Sequence, residues 1–250
     1  MLTEERILKI KEIVDKNGSA TVTDLMEQLG ASESTLRRDL KLMDEKGLIT
    51  RVHGGAVSKE SGPSILTIDR DIMERKASFP EEKATIGKYA ASLIEPDDFV
   101  YIDSGTTTEI MSQYIVEKQA VYVTNSVGVA RVLSLSGMKV YLLGGEFKIT
   151  TEAIVGEEAV SNIESYNFTK GFFGTNGIDI KRGFTTPEIR EGVVKREAML
   201  HSKERFILSD ESKFGTISSI EFGKFEESKI ITTGKIPSEF KSFKNVICIK

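Results

Sequence analysis

The chain has 250 residues, of which 39% are hydrophobic and 29% charged, and its formal net charge is −4. This composition is typical of a globular protein and excludes a disordered or fibrous one. No apolar run approaches the roughly 20 residues that a membrane helix needs. The acidic start, Met1–Glu5, is unlike the basic and then apolar start of a secretion signal. We therefore expect a cytoplasmic protein that makes no membrane contact.

The cysteine and histidine content argues against two kinds of site. Cys248 is the single cysteine, so no intrachain disulfide can form, and its apolar surroundings predict a core position. The two histidines, His53 and His201, are far apart in sequence, which argues against a Cys/His zinc site. We expect neither a metal ion nor a cofactor.

Residues 1–57 predict three short helices followed by a β-hairpin. Apolar residues recur at helical spacing and glycines end the segments. Thr21 and Thr23 are both candidate N-caps of the second helix, and Ser32 is a good N-cap for the third. The apolar positions of the third helix are Leu36, Leu40 and Met43.

The third helix has the chemistry of a DNA reader. Its apolar stripe is opposed by an arc of hydroxyl and cationic side chains, and arginine can bridge two acceptors on guanine in the major groove. The break before it has the length of a helix-turn-helix elbow. Residues 48–52 are rich in β-forming residues and predict a wing, on which a cationic side chain could contact a DNA phosphate. The candidate DNA contacts from this pattern are Ser32, Ser34, Arg37, Arg38, Lys41, Arg51 and His53.

The composition of this module leaves another interpretation open. It carries about as many acidic as basic residues, so a protein-docking adaptor with three small helices fits it too. Asp39, Asp44 and Glu45 lie near the basic arc, where they predict a solvated face with ion pairs along the helix.

The rest of the chain predicts an α/β domain at 81–250, after a polar linker at 58–80 that includes a helical connector. Strands alternate with helices, which favours a mainly parallel sheet. The predicted strands are 99–102, 120–124, 139–143, 170–173, 205–208, 229–232 and 246–249. The predicted helices are 82–94, 106–117, 126–136 and 189–202.

Polar loops follow several of these strands, and the carboxyl ends of strands in an open α/β sheet form its usual ligand site. Hydroxyl groups and glycines in such loops suit a phosphate monoester, although each loop alone could be a turn or a helix cap. Lysines nearby could supply the countercharge. The candidate effector-binding residues are Asp103, Ser104, Gly105, Thr106, Thr107, Thr108, Thr124, Asn125, Ser126, Gly144, Gly145, Gly174, Asn176, Lys195, Asp210 and Lys213.

Two motifs carry a resemblance to a known family. The stretches 32–40 (SESTLRRDL) and 51–56 (RVHGGA) resemble the signature of the DeoR family of bacterial transcriptional regulators. The resemblance implies a winged helix-turn-helix, with the helix-turn-helix at about 19–38 and the recognition helix at about 32–46. It also adds Thr35 to Arg37 and Arg38 as DNA-contacting positions.

The second half is similar to the sensor domain of the same family through segments such as 103–107 and 210–214. The resemblance implies a fold like that of ribose-5-phosphate isomerase and release of DNA by a phosphorylated sugar. Residues 183–188 resemble members that control fructose genes, so fructose 1-phosphate is the first effector to consider. Glu152 departs from the family pattern: it either points away from the anion or reads a sugar hydroxyl.

We therefore expect a repressor of sugar-metabolism genes that binds double-stranded operator DNA. Paired half-sites predict a homodimer or homotetramer. The sugar phosphate would order the loops at 104–108 and 144–153 and change how the linker holds the DNA-binding module. The alternative is a sugar-phosphate isomerase with a helical appendage, whose carboxylate base would come from Asp103, Glu146, Asp179 or Asp210.

Overall fold

The protein is described here by a computed structural model covering residues 3–52, 54–58, 65–66 and 72–249. The chain forms two units, Met1–Ile65 and Leu66–Lys250. His53 and much of the predicted linker lie outside the described residues.

The first unit is a winged helix-turn-helix. Three helices pack over a small antiparallel sheet in the order β1-β3-β2, so the predicted hairpin gains a third, three-residue strand. The predicted apolar stripe forms the core: Leu36, Leu40 and Met43 are buried with Ile10 and Leu25. The elements are α1 (Thr3–Asn17), β1 (Ser19–Thr21), α2 (Val22–Leu29), α3 (Glu33–Glu45), β2 (Ile49–Val52) and β3 (Gly55–Ser58).

Local capping sets the elbow between α2 and α3. Thr21, one of the two candidate caps, forms a capping box with Asp24. Gly30 ends α2 at φ 63°, a left-handed conformation that favours glycine. Ser32 then caps α3 by accepting a hydrogen bond from the Thr35 amide.

The expectation of a solvated acidic face is wrong for Asp39, whereas Asp44 and Glu45 are exposed. Asp39 is buried and accepts a hydrogen bond from Arg6 Nε at 2.5 Å, so it ties α3 to α1. Asp44 Oδ1 accepts from the Arg51 amide at 2.9 Å, so it ties α3 to the wing. Glu45 stays exposed, 3.9 Å from Lys41.

The second unit confirms the predicted α/β fold. Its main sheet has seven strands in the order β17-β16-β13-β10-β5-β6-β7, and every pairing in it is parallel. From Ile65 onward the elements are β4 (Ile65–Leu66), α4 (Ile72–Ala77), α5 (Pro80–Ala91), β5 (Phe99–Ile102), α6 (Thr106–Ser112), β6 (Val121–Thr124), α7 (Val127–Leu135), β7 (Lys139–Leu142), β8 (Glu146–Lys148), β9 (Ala153–Val155), α8 (Glu157–Glu164), β10 (Phe168–Gly174), β11 (Gly177–Asp179), β12 (Gly183–Thr186), α9 (Ile189–Leu200), β13 (Ser202–Leu208), β14 (Ile217–Ser218), β15 (Ile220–Gly223), β16 (Lys229–Thr232) and β17 (Val246–Cys248).

Apolar cores cover both faces of this sheet. Side chains of a strand alternate between faces, so Tyr101 and Phe173 join one core while Ile102 and Phe172 join the other. Among the described residues, no helix is long and apolar enough to cross a membrane.

Several predicted elements differ from the observed ones. Helix α6 ends at Ser112, well before residue 117, and the Ser112 hydroxyl donates to the Glu109 carbonyl, which competes with continued helix. Pattern analysis missed the β8–β9 hairpin, α8 and the antiparallel sheet of β11, β12 and β15. Cys248 is exposed on the edge strand β17, so the core position predicted for it is wrong.

Close packing of α5 on α6 gives a first prediction. A Cβ on Gly87 would lie 2.9 Å from backbone atoms of Met111. Overpacking costs about 1–3 kcal/mol, which outweighs the gain of about 1 kcal/mol in helix propensity. We expect Gly87→Ala to lower the free energy of unfolding in a denaturant titration. Lys88→Ala, on the exposed side of α5, is the control and should leave it nearly unchanged; equal stability of Gly87→Ala and wild type would contradict the tight contact.

Candidate functional site

One face of α3 is exposed and polar. Arg37 is held by Glu33 at 2.6 Å, whereas Arg38 has no acidic partner among the residues that the structure describes. The hydroxyls of Ser32 and Thr35 lie 2.8 Å apart. The predicted DNA contacts on the exposed surface of this unit are Ser32, Ser34, Arg37, Arg38, Lys41 and Arg51, with Thr35 half-buried.

This face can supply what major-groove recognition needs. Arg38 offers a guanidinium free to bind two acceptors of a guanine, and short hydroxyls sit at the helix start. His53 lies outside the described residues, so the wing contributes Arg51 to the surface.

The second site lies at the carboxyl ends of β5 and β10. Asp103 and Lys195 form an ion pair there, and both side chains are almost fully buried. Asp103 Oδ2 also accepts from the Gly174 amide at 3.0 Å, while Lys195 Nζ lies 3.2 Å from the Gly174 carbonyl oxygen. Burial raises the pKa of Asp103 above its ordinary value, although Lys195 opposes the shift. Asp103 Oδ1 is buried and accepts from no donor among the described residues.

Asn125 connects the neighbouring loops. Its Oδ1 accepts from the Ser104 amide at 2.9 Å and from the Tyr101 hydroxyl at 3.1 Å. Its amide nitrogen donates to the Ser104 hydroxyl and to the Ile154 carbonyl oxygen, each at 3.2 Å. The buried amide therefore fixes the loops after β5 and β6 relative to β9.

Not all predicted hydroxyls remain available to a ligand. Thr108 donates to the carbonyls of Asp103 and Gly105, at 2.7 and 2.9 Å. The Thr124 and Ser126 hydroxyls accept from backbone amides at the start of α7. Within the described part of the chain, the hydroxyls of Thr106 and Thr107 have no hydrogen-bond partner, so the start of α6 keeps two free hydroxyls.

Gly144 and Gly145 lie at positions where close neighbours or the backbone conformation favour glycine. The Gly144 amide donates to Asn162 Oδ1 at 3.0 Å, and a Cβ there would lie 2.7 Å from Glu158 Oε1. Gly145 has φ 135°, a conformation that favours glycine. Asn176 Oδ1 accepts from the Thr186 hydroxyl at 3.3 Å.

A buried lysine that sequence reasoning missed lies near the loop that follows β13. Lys83 on α5 is only 3% exposed, and its ammonium donates to the Arg75 carbonyl oxygen. Burial lowers the pKa of Lys83 to about 8, against the influence of Asp210; the positive charges of Lys213 and Arg75 lower it further. The sequence did carry one signal for this burial: Lys83 lies three residues before Ile86, on the core face of an amphipathic helix.

Asp210 is held by a contact within its own turn, whereas the hairpin β8–β9 is held by contacts to α9. Asp210 Oδ1 accepts from the Ser212 amide at 3.0 Å and caps the turn that carries Lys213. Lys148 and Thr151 bind the buried Glu191 carboxylate at 2.7 and 2.6 Å. Burial alone would raise the pKa of Glu191, but these hydrogen bonds outweigh it and hold the pKa below its ordinary value.

Glu152, the departure from the family pattern, pairs with Lys76 at 3.4 Å. Its carboxylate is therefore partly neutralised by a neighbouring cation. No cluster of His, Cys, Asp or Glu in the described residues has the arrangement of a metal site.

The fold and these surfaces define a DNA-binding regulator that carries a separate sensor unit. Residues 6–62 match the DeoR-like helix-turn-helix domain, and residues 78–235 match the DeoR C-terminal sensor domain. The chain belongs to the DeoR family of transcriptional regulators.

Three relatives are similar along nearly the whole chain. The uncharacterized HTH-type transcriptional regulator FruR of Bacillus subtilis is 37% identical over 100% of this chain and 98% of its own. The lactose phosphotransferase system repressor of Staphylococcus epidermidis is 34% identical over 92% of this chain and 91% of its own. The HTH-type transcriptional repressor GlcR of Bacillus subtilis is 30% identical over 96% of this chain and 91% of its own.

Solved structures give a weaker similarity. Ribose 5-phosphate isomerase A from Methanocaldococcus jannaschii is 13% identical, covers 55% of each chain and has a TM-score of 0.40. The full-length sorbitol operon regulator SorC from Klebsiella pneumoniae is 12% identical, over 82% of this chain and 88% of its own, with a TM-score of 0.37.

The buried ion pair gives a second prediction. Replacing Asp103 by Asn leaves the Lys195 charge buried without its partner, a change that costs about 3–5 kcal/mol. We expect Asp103→Asn to lower the free energy of unfolding by about that amount, measured by urea denaturation of the full chain. The double variant with Lys195→Met removes both charges and should recover part of the loss; a double variant no more stable than Asp103→Asn would contradict this account.

Proposed function

We propose that the protein is a repressor of sugar-metabolism genes that is released from its operator by a phosphorylated sugar. The DNA-binding surface would be the exposed face of α3 with the wing, and the predicted contacts Ser34, Arg37, Arg38 and Lys41 all lie on that face. The names of two similar proteins, the lactose phosphotransferase system repressor and the repressor GlcR, support repression.

The observation that carries the effector proposal is the buried Asp103–Lys195 pair, which lies at the same edge of the sheet as the start of α6 with its two free hydroxyls. Lys83 on α5 is buried, and the positive charge of Lys213 disfavours its ammonium, whereas the carboxylate of Asp210 favours it. A phosphate dianion would relieve this repulsion, and lysine binds phosphate well. The free hydroxyls of Thr106 and Thr107 would donate to the same group, and the unpaired Asp103 Oδ1 would accept from a sugar hydroxyl.

Fructose 1-phosphate is the first effector to test. The segment 183–188, which resembles fructose regulators, includes the buried strand β12, and the Thr186 hydroxyl on that strand donates to Asn176 Oδ1, a candidate effector-binding residue. The name of the relative FruR points the same way. A homodimer or homotetramer would place two recognition helices on paired half-sites.

Fluorescence anisotropy tests the repressor directly. The full chain is titrated onto DNA from upstream of its own gene at two salt concentrations, and then fructose 1-phosphate, fructose 6-phosphate, a tagatose phosphate and glycerol 3-phosphate are added separately. We expect salt-sensitive binding that one compound reverses. Absence of salt-sensitive binding would refute the repressor, and turnover of a sugar phosphate would support the isomerase instead.

Substitution of Arg38 is the most direct test of the proposed DNA-binding surface. Arg38→Ala should weaken operator binding by about 1–3 kcal/mol, because a bidentate contact to guanine is lost. Lys46→Ala, which removes an exposed charge at the C-cap of α3, is the control and should change affinity much less. If both substitutions weaken operator binding equally, Arg38 contributes through general electrostatic attraction and does not recognise a base.

Effector binding should depend on pH through Lys83. Its ammonium is favoured by Asp210 and Glu82 and disfavoured by burial, Lys213 and Arg75, which leaves its pKa at about 8. A phosphate monoester becomes a dianion above a pKa of about 6. Calorimetric affinity should therefore rise from pH 5 to 7 and fall above 8, as Lys83 loses its proton. Lys83→Gln should bind more weakly and lose the alkaline fall; a wild-type affinity constant from pH 7 to 9.5 would argue against Lys83 as a ligand.

A further inference from the structure

Strand β7 forms one edge of the seven-stranded sheet, and among the described residues it pairs with β6 alone. The Leu143 amide donates to the Thr124 carbonyl oxygen at 2.9 Å. Because the backbone groups of successive residues in a strand point to opposite sides, the amides and carbonyls of Val140 and Leu142 point away from β6. The outer side of β7 is thus a row of unpaired hydrogen-bonding groups, to which another strand can be added.

The surface around this edge carries little charge. Residues 127–142 include two charged side chains, Arg131 and Lys139, whereas 29% of the whole chain is charged. Helix α7 packs against β7, and both Leu135 at the end of α7 and Tyr141 on β7 are exposed. Surface helices and free edge strands normally present charged side chains to water. The α7–β7 surface therefore lacks the usual protection of an edge that stays unpaired.

A cleft of about 640 Å³ opens beside β7, at the amino ends of the strands. Phe99, Val121 and Lys139 begin three neighbouring strands and line it, together with the ring of Tyr141. Lys139 Nζ lies 5.7 Å from the centre of that ring. The acidic residues of the cleft, at 97–98, precede β5 and are two strands away from β7. The part of the cleft next to β7 thus presents apolar surface and one ammonium.

We infer that β7 pairs antiparallel with β7 of a second copy of this chain, across a twofold axis, and joins two seven-stranded sheets into one. Such an edge is self-complementary, because each outward amide of one copy faces an outward carbonyl of the other. In a pairing centred on Val140, Tyr141 of one copy lies beside Lys139 of the other, at the cleft, where ring and ammonium attract each other. Pairing also closes the edge, so no further copy can be added there.

Contact on both faces of the sheet would complete this interface. A stable interface buries about 800 Å² per partner, which a four-residue strand does not supply by itself. Helix α7 packs on the face of Val140, and the cleft opens on the face of Phe99, so exposed apolar groups flank the edge on either side. The inference rests on the proposed function in one respect: paired half-sites need two recognition helices, and a twofold interface supplies them.

The mass of the full chain in solution, measured by light scattering without DNA or effector, tests the interface. Leu142→Lys buries an unpaired ammonium there and should raise the dissociation constant about 100-fold or more, so that the mass falls to half that of wild type. Val140→Pro removes an outward amide, costs no hydrogen bond to β6, and should act in the same direction. Leu200→Lys changes an exposed leucine at the end of α9 and should keep the wild-type mass. Wild-type mass in both β7 variants, or a wild type that is monomeric at every concentration, would overturn the inference.

Hydrogen exchange on unaltered protein gives an independent readout, which decides even if a variant fails to fold. The outward amides of Val140 and Leu142 should exchange slowly, as paired strand amides do. Strand β17, at the other edge of the sheet, is the reference for an edge without a partner. Fast exchange at Val140 and Leu142 would overturn the inference. Salt-sensitive binding to DNA reports on the repressor separately, so failure of this interface is distinguishable from failure of the proposed function.

Discussion

The buried ion pair between Asp103 and Lys195 is the interaction on which the sensor unit depends. It joins residues 92 positions apart, one after β5 and one on α9, and the backbone of Gly174 at the end of β10 binds both of them. A buried charge is tolerated only when its partner is in place. The pair therefore fixes α9 against the carboxyl edge of the sheet, and the other loops of the candidate site are arranged around this fixed point.

In the DNA-binding unit, too, acidic side chains form hydrogen bonds within the fold. The module is not basic in composition. However, its most buried acid, Asp39, is hydrogen-bonded to Arg6, and Asp44 accepts a hydrogen bond from the backbone of the wing. Acids that stabilise the fold from inside contribute less to the surface potential than exposed acids do. The exposed face of α3 can thus carry Arg38 and Lys41 on a protein whose net charge is −4.

In the proposed effector site, the buried Lys83 would supply a positive charge for the phosphate. Burial beside Lys213 and Arg75 lowers the pKa of Lys83 to about 8, so the ammonium is close to losing its proton near neutral pH. Such a group gains more from an arriving dianion than a solvated lysine does.

The sequence by itself determined the class of protein, the winged helix-turn-helix and the alternating α/β order, because periodicity and capping are local: Leu36, Leu40 and Met43 mark one helix face without any tertiary contact. It also placed Asp103 and Lys195 among the candidate residues. Only the tertiary structure decided that these two residues pair, that the Thr108 hydroxyl is hydrogen-bonded within its own loop, that Cys248 is exposed and that Lys83 is buried. Each of those outcomes depends on which elements become neighbours in space, and residues far apart in the chain carry no local signal of it.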